Sequence, residues 1–137
     1  MHRETLEIAT TGRGFTEITG RIDEIVARAG IRAGLCNVFI LHTSASLIIT
    51  ENADPDVLKD LVTMLADIAP DGDPRYTHTA EGPDDMSAHV RSILTQSDIT
   101  IPIESAALRL GTWQGLFLWE HRTRPHARNV VVSVFPG

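Results

Sequence analysis

From residue 99 onward the chain carries one short apolar run after another: Ile99–Ile103, Ala107–Leu110, Trp113–Glu120 and Asn129–Phe135, with serine-, glycine- or proline-containing turns between them. Connections of this kind favour hairpins, and hairpins build antiparallel sheet. Upstream, Leu6 and Ile8 alternate with polar neighbours as a first strand. Leu35–Leu41 and Leu47–Thr50 read as two more, around the polar interruption His42-Thr43-Ser44-Ala45-Ser46. Helical spacing appears in the front and middle of the chain. Ile18, Ile22, Ile25, Val26 and Ala29 predict one helix, with Thr16 as N-cap and Gly30 as its stop. Asp54-Pro55 opens a second, in which Val57, Leu58, Leu61, Val62, Leu65 and Ile68 mark a buried face. Asp84 or Asp85 opens a third that runs to about Thr95, with Val90, Ile93 and Leu94 facing inward. The pattern predicts a single α+β domain over residues 1–137, a mainly antiparallel sheet carrying about three helices.

Length and charge narrow the function. A chain of 137 residues has room for one core. Its formal charge of −6 provides no phosphate-neutralising field, which argues against broad nucleic-acid or anionic-membrane binding. Arg122, Arg124 and Arg128 nonetheless gather near the C-terminus and allow a local anion pocket. The lone Cys36 lies in an apolar run and reads as a buried, inert thiol. Met1-His2-Arg3-Glu4 opens no apolar signal segment and no run approaches membrane-spanning length, so the expected setting is cytoplasmic. A sheet this size with so few helices leaves a face or edge for self-association to cover.

The chemistry-bearing residues are scattered. His42 follows a hydrophobic strand, His78 lies in the loop Tyr76-Thr77-His78-Thr79, and His89 sits four residues after Asp85 on one helix face. A carboxylate at that spacing can orient an imidazole by accepting its second N–H. The three histidines could supply a nitrogen triad with open positions, but no local HExxH or CxxC supports it and each also reads as an ordinary surface or hydrogen-bonding histidine. Glu51, at the end of the strand after His42, is expected to lie well away from it along the ladder. Gln114 and Glu120 share strand parity and so one face, while Glu120 with Arg122 also reads as a surface ion pair. Trp113 reads as core, and His2, His121 and His126 fall outside the first-choice site.

Four segments in order, His42-Thr43-Ser44-Ala45-Ser46, Glu51-Asn52-Ala53-Asp54-Pro55, Asp84-Asp85-Met86-Ser87-Ala88-His89 and Gly111-Thr112-Trp113-Gln114-Gly115, together with Glu120-His121-Arg122, resemble the YjbQ family, described as secondary thiamine-phosphate synthase. The likeness spans nearly the whole chain. It implies a compact α+β fold, a homotrimer and a histidine-lined metal site at or near a subunit interface. The metal positions it implies are His42, His78 and His89, and Glu51, Asp85, Gln114 and Glu120 match its polar positions. Two departures stand out. Ser87 replaces a common proline, and the Thr123–Ala127 loop carries Pro125 where the family often has glycines before an arginine pair.

The implied reaction joins a pyrimidine-methyl diphosphate to a thiazole phosphate and expels diphosphate, with a divalent metal neutralising the leaving group and Arg122 and Arg128 clamping phosphates. An imidazole-rich site suits Zn²⁺, whereas Mg²⁺ would suit a diphosphate substrate. No Gly-rich phosphate loop is present. The same ligands suit metal-dependent hydrolysis or isomerisation of a small substrate, with Glu51 or Glu120 as general base, or a non-catalytic trimer that binds a metal or small ligand.

Overall fold

A computed structural model describes all 137 residues. Strand β1 (His2–Ala9) is followed by β2 (Gly14–Glu17), helix α1 (Thr19–Ala29), β3 (Gly34–Ile40), β4 (Ala45–Glu51), α2 (Pro55–Ile68) and α3 (Asp85–Leu94). The chain ends with β5 (Asp98–Glu104), β6 (Ala107–Leu108), β7 (Gln114–Glu120) and β8 (Ala127–Pro136). Every strand pair is antiparallel. One sheet has the order β1-β8-β3-β5-β6 and the other β2-β7-β4. The core draws on both sheets and on α1: Val38, Ile101 and Val132 from the first, Leu47, Leu116 and Leu118 from the second, and Ile22, Ile25 and Val26 from the helix. The α+β architecture and its three helices follow the sequence pattern.

Several local expectations give way to tertiary structure. Thr16 does not cap α1, because it pairs with Leu118 in β2, and the helix starts at Thr19 behind Ile18, which offers no side-chain cap. Thr19 Oγ1 instead accepts the Leu116 N–H at 2.8 Å, tying the helix start to β7. Helix α2 begins as expected, with Asp54 accepting the Asp56 N–H at 2.9 Å and Pro55 in the first turn. Its apolar face is not covered within one chain: Leu65 is buried, but Met64 and Ile68 are exposed. Helix α3 reverses the expected face. Ile93 and Leu94 point outward, and the buried side is Asp85, Ser87, Ala88, Arg91 and Ser92. Trp113 is exposed in the turn before β7 rather than packed in the core. Cys36 is free and buried, and burial raises its thiol pKa to about 11.

Candidate metal centre

Asp85 and His89 stand one turn apart on α3, and the loop between α2 and α3 brings His78 against them. The Nε2 of His78 lies 2.6 Å from Asp85 Oδ2, and the Nε2 of His89 lies 3.1 Å from the same oxygen. The two imidazole rings are 5.5 Å apart, and the three donor atoms lie within 4.8 Å of one another. The orientation of His89 is fixed from behind, where its Nδ1 meets the Thr43 carbonyl at 2.9 Å. A carbonyl only accepts, so Nδ1 carries the proton. The other nitrogen, Nε2, faces the carboxylate, an arrangement that a proton on Nε2 or a bound cation satisfies. Asp85 Oδ2 thus faces both imidazoles, and its contact with His89 follows the four-residue helical spacing.

The carboxylate is itself held. Arg122 donates from Nη1 to Asp85 Oδ1 at 2.7 Å, from Nε to Asp84 Oδ2 at 3.1 Å, and from Nη2 to the Glu81 carbonyl at 3.0 Å. Asp84 also accepts the Thr123 N–H and hydroxyl at 2.9 and 3.0 Å. Burial alone would raise the Asp85 pKa, but the hydrogen bond from His78 and the nearby positive charges, Arg122 included, outweigh it and keep the group below the usual carboxylate range. Glu81 adds a carboxylate 3.8 Å from His78 Nε2, and its side chain is exposed. A cleft of about 380 Å³ adjoins His78 and is lined by Asp73, Tyr76, Thr79 and Pro83 among others.

The other candidate residues lie elsewhere. His42 is outside this group: its Nε2 accepts the Asn129 N–H at 2.8 Å. Burial and the charge of Arg128 lower its pKa. Glu120 is buried, where it accepts Arg128 Nε at 2.7 Å, Thr10 Oγ1 at 3.0 Å and the Arg122 N–H at 3.0 Å. Hydrogen bonding and charge from Arg128 outweigh burial and hold Glu120 ionised. Its side-chain partner is therefore Arg128, not Arg122, and the pair is internal rather than on the surface. Both Arg122 and Arg128 are buried and already matched to carboxylates. Glu51 and Gln114 face each other across β4 and β7. Gln114 is six residues from Glu120, about 20 Å along an extended strand. Glu51 Oε2 accepts the Asp54 N–H at 3.1 Å, and Gln114 Oε1 accepts the Gly111 N–H at 2.7 Å.

Sequence reasoning missed Asp84, Thr43 and Glu81 at this centre. The adjacent acids Asp84-Asp85 read locally as ordinary helix-start residues, and only the distant Arg122 marks them as a buried pair. Nothing local points to Thr43, which acts through its backbone. The buried bond of His121 Nε2 to Ser46 Oγ at 2.7 Å was equally hidden.

The sequence pattern of the family described as UPF0047 protein YjbQ-like matches residues 4–137. The chain is 54% identical to a UPF0047 protein of Synechocystis over 97% of its own length and 90% of the relative's. It is 35% identical to the UPF0047 protein YjbQ of Salmonella typhimurium, covering 97% of this chain and 96% of that one. A conserved hypothetical protein of Thermus thermophilus shares the structure with a TM-score of 0.86 at 36% identity, over 96% of this chain and 99% of that chain. By these matches the chain belongs to the UPF0047, YjbQ-like family.

Proposed function

We propose that His78, Asp85 and His89 hold one divalent transition ion, and that the chain is a metal-dependent enzyme acting on a small molecule in the adjoining cleft. The observation that carries this reading is the single Asp85 oxygen facing two imidazole nitrogens, with the other nitrogen of His89 held by the Thr43 carbonyl. Two imidazoles and one carboxylate form a donor set suited to Zn²⁺ with a position left open. A bound ion would supply Lewis acidity at an oxygen atom. Glu81 is the exposed carboxylate beside the centre that would take a proton there, 3.8 Å from His78 Nε2, whereas Glu120 is paired with Arg128. The Thr43 carbonyl fixes which His89 nitrogen faces inward, and the cleft orients the substrate beside His78.

Hydrolysis or isomerisation suits this arrangement better than condensation of two phosphorylated substrates, since Arg122 and Arg128 would have to exchange carboxylates for phosphates. The chemistry is tested by screening metal-loaded protein against small esters, lactones and phosphoesters, alongside the pyrimidine-methyl diphosphate and thiazole phosphate pair. Turnover abolished by chelation and by Glu81→Gln supports the reading. Turnover that survives both changes sinks it, and thiamine-phosphate formation as the fastest reaction restores the synthase.

A homotrimer belongs to the same proposal. The exposed Met64, Ile68, Ile93, Leu94 and Phe39 need covering, and Glu51 and Gln114 stand at the opposite end of the β4–β7 ladder from Ala45 and Glu120. No helix is long and apolar enough to cross a membrane.

A further inference from the structure

Arg122 is placed for a task other than binding substrate. Its guanidinium touches three points of the segment that enters α3: the Glu81 carbonyl, the Asp84 carboxylate and Asp85 Oδ1. Asp84 is in turn pinned by the Thr123 N–H and hydroxyl. With Oδ1 of Asp85 engaged, Oδ2 is the oxygen left for His78 and His89. Arg122 is mostly buried and two carboxylates surround it, so no face of it is open to a phosphate.

We infer that Arg122 is a positioning residue, which with Asp84 as its anchor aims Asp85 Oδ2 at the two imidazoles and so sets the affinity of the metal site. The inference rests on the metal reading above. Charge and geometry make opposite predictions for this residue. As a mere positive charge, Arg122 would repel a cation, and replacing it by lysine would change nothing. As a planar fork it holds two carboxylates and a carbonyl at once, which a single ammonium cannot do.

The test is Co²⁺ and Zn²⁺ binding to the full chain as wild type, Arg122→Lys and Asp84→Asn, with thermal melting of each metal-free protein as a check of folding. Loss of an orienting partner of this kind weakens metal binding by about 10–100-fold. We expect losses in that range for Arg122→Lys, with an altered visible Co²⁺ spectrum, and a smaller loss for Asp84→Asn, which keeps Arg122 but loosens it. Wild-type affinity and an unchanged spectrum in Arg122→Lys overturn the positioning role while leaving the metal site standing. If Arg122→Lys does not fold, Asp84→Asn decides on the same criteria. A wild-type protein that binds neither ion overturns the metal site and this inference together.

Discussion

Helices α1 and α3 have similar lengths, 11 and 10 residues, yet they are held by opposite means. Helix α1 buries Ile22, Ile25 and Val26 in the shared core, where attraction is non-directional and any well-fitting apolar side chain would serve. Helix α3 turns Ile93 and Leu94 outward and, beside the small Ala88, buries Asp85, Ser87, Arg91 and Ser92. Each of these needs a partner at a defined distance. Arg91 donates from Nη2 to the Ala69 carbonyl at 3.1 Å, and Ser87 donates to Asp71, which Arg13 grips in turn. Directional contacts give less net stabilisation than apolar burial, but they fix position more tightly. The helix that carries Asp85 and His89 is the one attached in this way.

The contrast can be broken in three places. The largest effect is expected at the buried Glu120–Arg128 pair near the polar region. Glu120→Ala leaves Arg128 buried without its counter-charge and should cost about 3–5 kcal/mol in denaturant unfolding. A cost below about 1 kcal/mol would mean that the region rearranges or admits water. On the apolar side, Ile25→Ala should cost about 2–4 kcal/mol while leaving metal affinity unchanged. A parallel fall in affinity would show that the core and the centre are not separable.

The third effect is a slope in pH. His121 is fully buried, and burial, helped by the charges of Arg91, Arg13 and Arg128, drives its pKa down from 6.5 to about 3. The folded protein keeps this imidazole neutral while the unfolded chain takes a proton near pH 6.5. Its contribution is therefore complete above that pH and is lost as pH falls toward 3, at no more than about 1.4 kcal/mol per unit. Urea midpoints between pH 7 and pH 4.5 should fall less steeply for His121→Gln than for wild type. Parallel slopes would assign the pH dependence to other groups.

The difference between the helices also explains what could be read from sequence. The start of α2 was legible because Asp54 and Pro55 act within one turn. The parity of β7 was legible too, and Gln114 and Glu120 do share it across an unbroken ladder. The buried face of α3 was not, because Val90, Ile93 and Leu94 have the periodicity of an inward face. The partners that bury the other side, Arg122 and the Ala69 carbonyl, are distant in sequence. Strand β2 was missed because four residues carry little alternation and its pairing with β7 is non-local. The candidate cluster was half legible: the Asp85–His89 spacing put both side chains on one turn of α3, where they meet. His42 has its nitrogen occupied by Asn129, 87 positions away, which no local pattern reveals.

The central claim is that one ion is held by His78, Asp85 and His89. The most direct measurement is metal content per chain, for protein purified without an affinity tag and incubated with Zn²⁺, compared among wild type, His78→Ala, His89→Ala and His42→Ala. One ion per chain is expected in wild type and in His42→Ala, and loss in the other two. Metal lost equally in His42→Ala would replace this donor set by three imidazoles, and metal absent from the wild type would remove the centre altogether.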